Sequence, residues 1–115
     1  MNLLIADDNP NMRGILRNIC SQFFNVMYEC GNGIDAVELY KQHKPDWTLM
    51  DIRMERMDGI SAIKEIIKFD PSAKTIVVSQ FNDPEFIESA KNAGAIEFVS
   101  KEDLTKIEDI ITQQY

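Results

Sequence analysis

Five side chains of this sequence carry groups that could act together: the carboxylates of Asp7, Asp8 and Asp51, the hydroxyl of Ser79 and the ammonium of Lys101. Each follows a short apolar run. Asp7-Asp8 comes after Leu3-Leu4-Ile5-Ala6, and Asp51 comes after Trp47 to Met50. Ser79 ends the β-branched run Thr75 to Val78, and Ser100-Lys101 follows Ile96 to Val99. Packing does not explain Asp51, because an apolar residue would end a buried strand at less cost. Two carboxylates about 4 Å apart repel by roughly 4 kcal/mol at an effective dielectric near 20. A cation relieves that repulsion. Mg²⁺ prefers oxygen ligands, typically one or two carboxylates with waters and a phosphate oxygen. An aspartate can also attack phosphorus to give an aspartyl-phosphate, with a metal and an ammonium offsetting the charge on the transferring group. Lys101 fits either a structural ion pair or a phosphoryl-oxygen contact. Ser79 fits either a strand-end cap or a donor to the same oxygens. The competing account of the aspartates is three separate, solvated loop acids.

The groups meet only if the strands before them lie side by side. Asn2 to Ala6 has the continuous apolar pattern of a strand covered on both faces. Met12, Ile15, Leu16, Ile19, Cys20 and Phe23 recur at steps of three and four, which predicts one apolar helix face. Val26, Tyr28 and Cys30 alternate with polar or flexible neighbours, as in a strand nearer a sheet edge. Ile34 to His43 reads as a helix stopped by Pro45. Asp58 is placed to cap a helix running through Lys68 with Ile60, Ile63 and Ile67 inward. Asp83-Pro84-Glu85 predicts the start of a helix carrying Ile87, Ala90 and Ala93, with Gly94 as its stop. Asp103 or a neighbour is expected to cap a last helix with Leu104, Ile107, Ile110 and Ile111 inward. Strand and helix thus alternate five times, which implies an α/β fold with a parallel sheet and helices on both faces. Ligands in such folds bind beyond the carboxyl ends of the strands, where the winding reverses. The residues just past those ends are Asp7, Asp8, Asp51, Ser79 and Lys101.

The totals narrow the partners. A chain of 115 residues fits one domain, 1–115, and should bury roughly two-thirds of its unfolded surface without a disulfide or structural metal. The net charge of −7 argues against direct nucleic-acid or acidic-membrane binding by this domain. Cys20 and Cys30 form no metal-ligand spacing and read as small buried hydrophobes. No signal-peptide pattern and no run of the roughly 20 apolar residues a membrane helix needs is present. The cytoplasm is the expected compartment. His43, the one histidine, reads as an exposed helix-end residue.

Taken in order and spacing, these residues resemble a response-regulator receiver domain over essentially the whole chain. Asp7-Asp8 looks like the family's acidic pair. Leu49-Met50-Asp51-Ile52-Arg53-Met54 with Met57-Asp58-Gly59 resembles its phospho-acceptor strand and loop. Ser79, Lys101 and Phe98 fall at its hydroxyl, lysine and switch-aromatic positions. The resemblance implies a flavodoxin-like sheet of strand order 2-1-3-4-5. It implies that Asp51 takes a phosphoryl group from a partner histidine kinase or phosphotransfer protein in a Mg²⁺-dependent reaction. Asp8, Asp51 and the Arg53 carbonyl would hold the metal, with Asp7 helping through water. Ser79 and Lys101 would grip the phosphoryl oxygens. Phe98 would turn inward with Ser79, changing the surface of the fourth helix, fifth strand and fifth helix. Beyond self-phosphorylation and slow self-dephosphorylation, no enzyme activity is implied. The output is a downstream protein target or a fused effector domain, from a monomer or a phosphorylation-dependent homodimer.

Four residues depart from the family pattern. Glu55 stands where proline is usual, which predicts a more mobile and more negative loop. Gln80 replaces a small residue and could narrow access to Asp51. Glu102 replaces a proline, so a cis peptide is not expected there. Arg53 is a cation at a position that resembles a tuning site for phosphoryl lifetime. Three rivals compete. A flavin or nucleotide binder would want phosphate-cradling amides where Asp7-Asp8-Asn9 offers negative charge. A Mg²⁺-dependent phosphatase would need a substrate pocket and a general acid. A receiver-like adaptor would bind partners without phosphorylation, an option Gln80 keeps open. The absent lysine–proline pair resembles receivers joined to helix-turn-helix DNA-binding domains. The sequence ending at Tyr115 suggests either a protein that acts alone by docking or the receiver part of a longer one.

Overall fold

The computed structural model describes residues 1–114. Ten elements alternate: β1 (Asn2–Ala6), α1 (Pro10–Cys20), β2 (Val26–Cys30), α2 (Gly33–His43), β3 (Trp47–Met50), α3 (Gly59–Phe69), β4 (Thr75–Ser79), α4 (Pro84–Ala93), β5 (Glu97–Ser100) and α5 (Lys106–Gln114). The strands are parallel and ordered β2-β1-β3-β4-β5. The chain winds from β1 outward to β2, then returns to place β3 on the other side of β1. The winding therefore reverses between β1 and β3.

Each central strand feeds two cores because alternate side chains point to opposite faces. Leu3, Ile5, Leu49, Ile76 and Val78 pack with Leu16 and Cys20 of α1 and with Ile107, Ile110 and Ile111 of α5. Leu4, Ala6, Met50 and Val77 pack with Val37 and Tyr40 of α2, Ile63 and Ile66 of α3, and Ala90 and Ala93 of α4. Covering both faces is why β1, β3 and β4 read as unbroken apolar runs. β2 lies at the edge, as expected, but its burial does not alternate: Val26 is exposed and the other four residues are half-buried.

Local chemistry starts and stops the helices. The Asn9 side chain accepts from the Asn11 and Met12 amides, Asn32 from Asp35, and Asp58 from Ser61. Such caps satisfy helix-end amides that have no intrahelical partner. Gly94 closes α4 at a φ of 118°, a left-handed conformation that glycine adopts without a Cβ penalty.

Several side chains differ from the periodicity reading. Ile15 is exposed, and α1 ends at Cys20, so Phe23 and the more deeply buried Phe24 pack on that core from beyond the helix end. Val26 is exposed at the start of the edge strand. In α3, Ile66 is more deeply buried than Ile60 or Ile67. Asp83 makes no side-chain cap bond. Leu104 precedes α5 and packs from the turn before it, where the Asp103 carbonyl accepts from the Lys106 amide. The fifth strand begins at Glu97, one residue late. No peptide bond among the described residues is cis. Tyr115, the last residue of the expected domain, lies outside the described residues.

Candidate acidic site at the strand ends

Register assembles the rim. Ala6 pairs with Met50 across β1 and β3, and the Asp51 amide donates to the Ala6 carbonyl at 2.9 Å. Asp7 and Asp51 thus leave neighbouring strands side by side, at the reversal point. Ser79 pairs with Ser100, and the Lys101 amide donates to the Ser79 carbonyl at 3.0 Å, which delivers the lysine to the same rim. Lys101 Nζ stands 2.9 Å from Asp7 Oδ2 and 3.3 Å from Asp51 Oδ2. One carboxylate oxygen from each of Asp7, Asp8 and Asp51 lies within 4.8 Å of the others. The three aspartates are one cluster, not separate loop acids.

The cluster is electrostatically strained. Asp7 is 1% exposed and Asp51 6%, whereas Asp8 is open to solvent. Burial, then repulsion from Asp7, pushes the Asp51 carboxyl up to about 6. Lys101 and the Ile52 amide, which donates to Asp51 Oδ1 at 2.9 Å, pull the other way without cancelling it. Burial pulls Lys101 down, but its contacts with Asp7 and Asp51 prevail and hold its pKa above the ordinary value. The Asp51 carboxylate thus carries a cost that its surroundings only partly relieve.

A divalent cation fits this set. One ammonium faces three carboxylates. Only the Asp51 contact of Lys101 has hydrogen-bond geometry, so buried Asp7 Oδ2 is ion-paired yet has no aligned donor. Oxygen-only donors with excess negative charge suit a hard cation such as Mg²⁺. The carboxylates open into a recess of about 210 Å³ lined by Asp8, Asn9, Asp51, Arg53, Gln80, Phe81 and Lys101. A larger hollow of about 440 Å³ along α4 contains none of these acids.

Of the remaining predicted residues, Arg53 lines that recess, whereas Ser79 and Phe98 are not part of its lining. Ser79 is fully buried, and its Oγ accepts from the Phe81 amide at 3.0 Å, leaving the hydroxyl proton to donate. Phe98 lies beside Val77 in the register and is half-buried against the core under α2, α3 and α4. Arg53 is exposed, with its guanidinium carbon 4.2 Å from the centre of the Phe81 ring. That contact joins the loops after β3 and β4 across the recess. The loop carrying Glu55 is tied at several points: Asn32 bridges Glu55, the Gly33 amide donates to Met57, and the Gly59 amide donates to Ile52. These ties join the loop to the start of α2 and to the exit of β3.

Gln80 lies on the lip of the recess, exposed. Gln80→Ala is expected to speed phosphoryl uptake from acetyl phosphate roughly threefold, or about 0.6 kcal/mol of barrier. Stopped-flow rates that are unchanged or slower would retire steric narrowing by this side chain.

Three residues at or beside the site escape sequence reasoning. Asn9 lines the recess while capping α1, and only the second role shows in its spacing. Phe81 gives no periodic signal in a loop. Arg13 donates to the Asp7 backbone carbonyl at 2.7 Å, a contact to main chain that side-chain chemistry cannot announce.

Comparison with known proteins agrees with the geometry. The family model described as the response regulator receiver domain matches residues 3–112. The chain is 46% identical over 100 residues to the chemotaxis protein CheY of Thermotoga maritima, covering 86% of this chain and 83% of that protein. It is 42% identical over 100 residues to the chemotaxis protein CheY of Bacillus subtilis, with coverage of 86% and 83%. Among solved structures, the CheX–CheY–BeF3–Mg²⁺ complex from Borrelia burgdorferi matches with a TM-score of 0.90 and 31% identity, over 96% of this chain and 86% of that one. A LuxR-family DNA-binding response regulator from Staphylococcus aureus matches with a TM-score of 0.88 and 27% identity, over 96% and 94%. By its parallel 2-1-3-4-5 sheet, its acidic strand ends and these matches, the chain belongs to the response-regulator receiver domain family.

Proposed function

We propose that this chain is a phosphorylation-dependent switch in which Asp51 accepts a phosphoryl group from the phosphohistidine of a histidine kinase or phosphotransfer protein. Receiver domains of CheY-like two-component systems serve phosphorylation-based signalling, and they are generally signalling modules rather than enzymes. The observation that carries the finer reading is the convergence of three carboxylates within 4.8 Å, with Lys101 between two of them.

In the transfer, a bond forms between an Asp51 carboxylate oxygen and phosphorus. The phosphorus–nitrogen bond of the donor breaks, and its electron pair leaves with the imidazole. Asp8, Asp51 and the Arg53 carbonyl would hold Mg²⁺, with Asp7 assisting through water. When bound, the ion supplies positive charge that offsets the phosphoryl oxygens. Lys101 already points its ammonium at Asp51. Asp7 is its second partner. Ser79 can donate its proton to another phosphoryl oxygen. Its Oγ also holds the Phe81 amide, so any shift of Ser79 is felt in the loop before α4. Movement of half-buried Phe98 on β5 would carry the change to the face formed by α4, β5 and α5, where a downstream target would read it. A dianionic group rearranging local hydrogen bonds is sufficient to bias such a surface.

We place the domain at 1–115 and the protein in the cytoplasm. No helix among the described residues is long and apolar enough to cross a membrane. The test is intact mass after incubation with Mg²⁺ and acetyl phosphate. The expected result is gain of one phosphoryl group, absent without Mg²⁺. No gain alongside detectable Mg²⁺ binding would favour the adaptor that works without phosphorylation.

A further inference from the structure

Arg13 stands outside the recess, yet it is joined to the acidic site through main chain. Its Nη1 donates to the Asp7 carbonyl at 2.7 Å, and its Nε lies 3.5 Å from Glu29 Oε1. Glu29 is also paired with Arg17. The guanidinium therefore spans from α1 to β2 and grips the turn between β1 and α1 from behind. Other bonds fix the same turn: the Asp7 amide donates to the Cys30 carbonyl at 3.1 Å, and Asp7 Oδ1 accepts from the Asn9 amide at 2.9 Å. Gly31 packs beside the grip, where a Cβ would make ordinary van der Waals contact, 3.5 Å from Arg13 Nη1 and 3.7 Å from the Asp8 Cα. The guanidinium fork suits this task because it can serve two acceptors in a fixed geometry.

We infer that Arg13 is a positioning residue for Mg²⁺ binding: by clamping the Asp7 carbonyl to Glu29, it holds the Asp7-Asp8 turn where both carboxylates can serve the ion. The inference rests on the metal reading above. Two effects of removing Arg13 have opposite signs, which makes the role testable. Deleting a positive charge beside a cation site favours the cation and should tighten binding. Releasing the turn that presents Asp8 directly and Asp7 through water should weaken it. Groups that orient metal ligands typically contribute tenfold or more to affinity, whereas the Arg13 charge, 23% exposed, is already paired with Glu29 and so is largely offset. Positioning therefore wins.

The experiment is titration with MgCl₂ alone, followed by calorimetry and by amide NMR shifts, on wild type, Arg13→Ala, Arg13→Met and Arg17→Ala. Arg13→Met keeps the packing of the side-chain stem and guards against a folding defect, and melting in EDTA checks that each variant is folded. Both Arg13 variants are expected to raise the Mg²⁺ dissociation constant roughly tenfold. Arg17→Ala removes a neighbouring charge that contacts Glu29 but not Asp7, and its dissociation constant should stay close to wild type. Unchanged or tighter binding in the Arg13 variants would overturn the positioning role while leaving the metal site standing. An equal loss in Arg17→Ala would overturn it in favour of the Glu29 ion pair. Absence of Mg²⁺ binding by the wild type would overturn the metal reading, and this inference with it.

Discussion

Asp51→Asn is expected to do two opposite things: abolish phosphoryl uptake and stabilise the metal-free protein. The first follows because an amide lacks the nucleophilic carboxylate. The second follows from the site's electrostatics. Burial and Asp7 raise the Asp51 carboxyl from 3.8 to about 6. A folded-state pKa raised above the unfolded value favours folding fully at pH below the unfolded value, and that contribution is lost as pH rises through about 6. At neutral pH the ionised Asp51 therefore costs stability, by about 3 kcal/mol at most. Asparagine cannot ionise, but it weakens the tie to Lys101, so a net gain of about 2 kcal/mol is expected. Urea melts in EDTA should show the variant more stable at pH 7, with the gap shrinking as pH falls from about 6 toward 4. Mg²⁺ should also narrow the gap, because it binds the folded wild type and shifts the equilibrium by mass action. A variant less stable than wild type at pH 7 in EDTA would contradict the strain assigned to this carboxylate.

Gly59→Ala is expected to be the most damaging small substitution at the site. A Cβ there would lie 1.8 Å from the Asp51 carbonyl oxygen, 2.8 Å from its carbon and 2.9 Å from Met50 Cγ. Two of those atoms are main chain of β3's exit and cannot swing aside. The Gly59 amide is meanwhile bonded to the Ile52 carbonyl at 2.7 Å, which pins the start of α3 against the strand end. Alanine normally improves a helix by up to about 1 kcal/mol over glycine. Here relief requires α3 to lift away, loosening the Ile60, Ile63 and Ile66 packing and displacing Asp51. A loss of about 3 kcal/mol is expected, which lowers the melting temperature by roughly 10 °C or more. Phosphoryl uptake should slow as well, since the acceptor's own backbone moves. A melting temperature within a degree or two of wild type would show that the close approach is not structural.

The Met-Asp-Gly stretch shows what was legible and what was not. Asp58 was readable as a cap from its residue type, and its side chain does hold the Ser61 amide. Gly59 matched a family pattern, but its physical reason is the Asp51 carbonyl, a contact that exists only after α3 packs on β3. The central strands were legible because burial on both faces leaves unbroken apolar runs. Ile15 and Val26 misled because an isolated apolar residue carries no label saying which side of an element it occupies. Asp7, Asp8, Asp51, Ser79 and Lys101 were legible as a site because a parallel sheet sends every strand end to one rim. Arg13 and Phe81 were not. The partner of Arg13 is a backbone carbonyl, and the stacking of Phe81 on Arg53 depends on two loops meeting. Interactions with main chain and between loops leave no period in the sequence.

The most direct measurement is to locate the phosphoryl group. Protein treated with Mg²⁺ and acetyl phosphate is reduced with borohydride, which converts an aspartyl-phosphate to homoserine, and the peptides are mapped by mass spectrometry. Homoserine is expected at position 51 and nowhere else, with no conversion when Mg²⁺ is withheld. Homoserine at position 7 or 8, or equal conversion without Mg²⁺, would contradict the assignment of Asp51 as the acceptor in a Mg²⁺-dependent transfer.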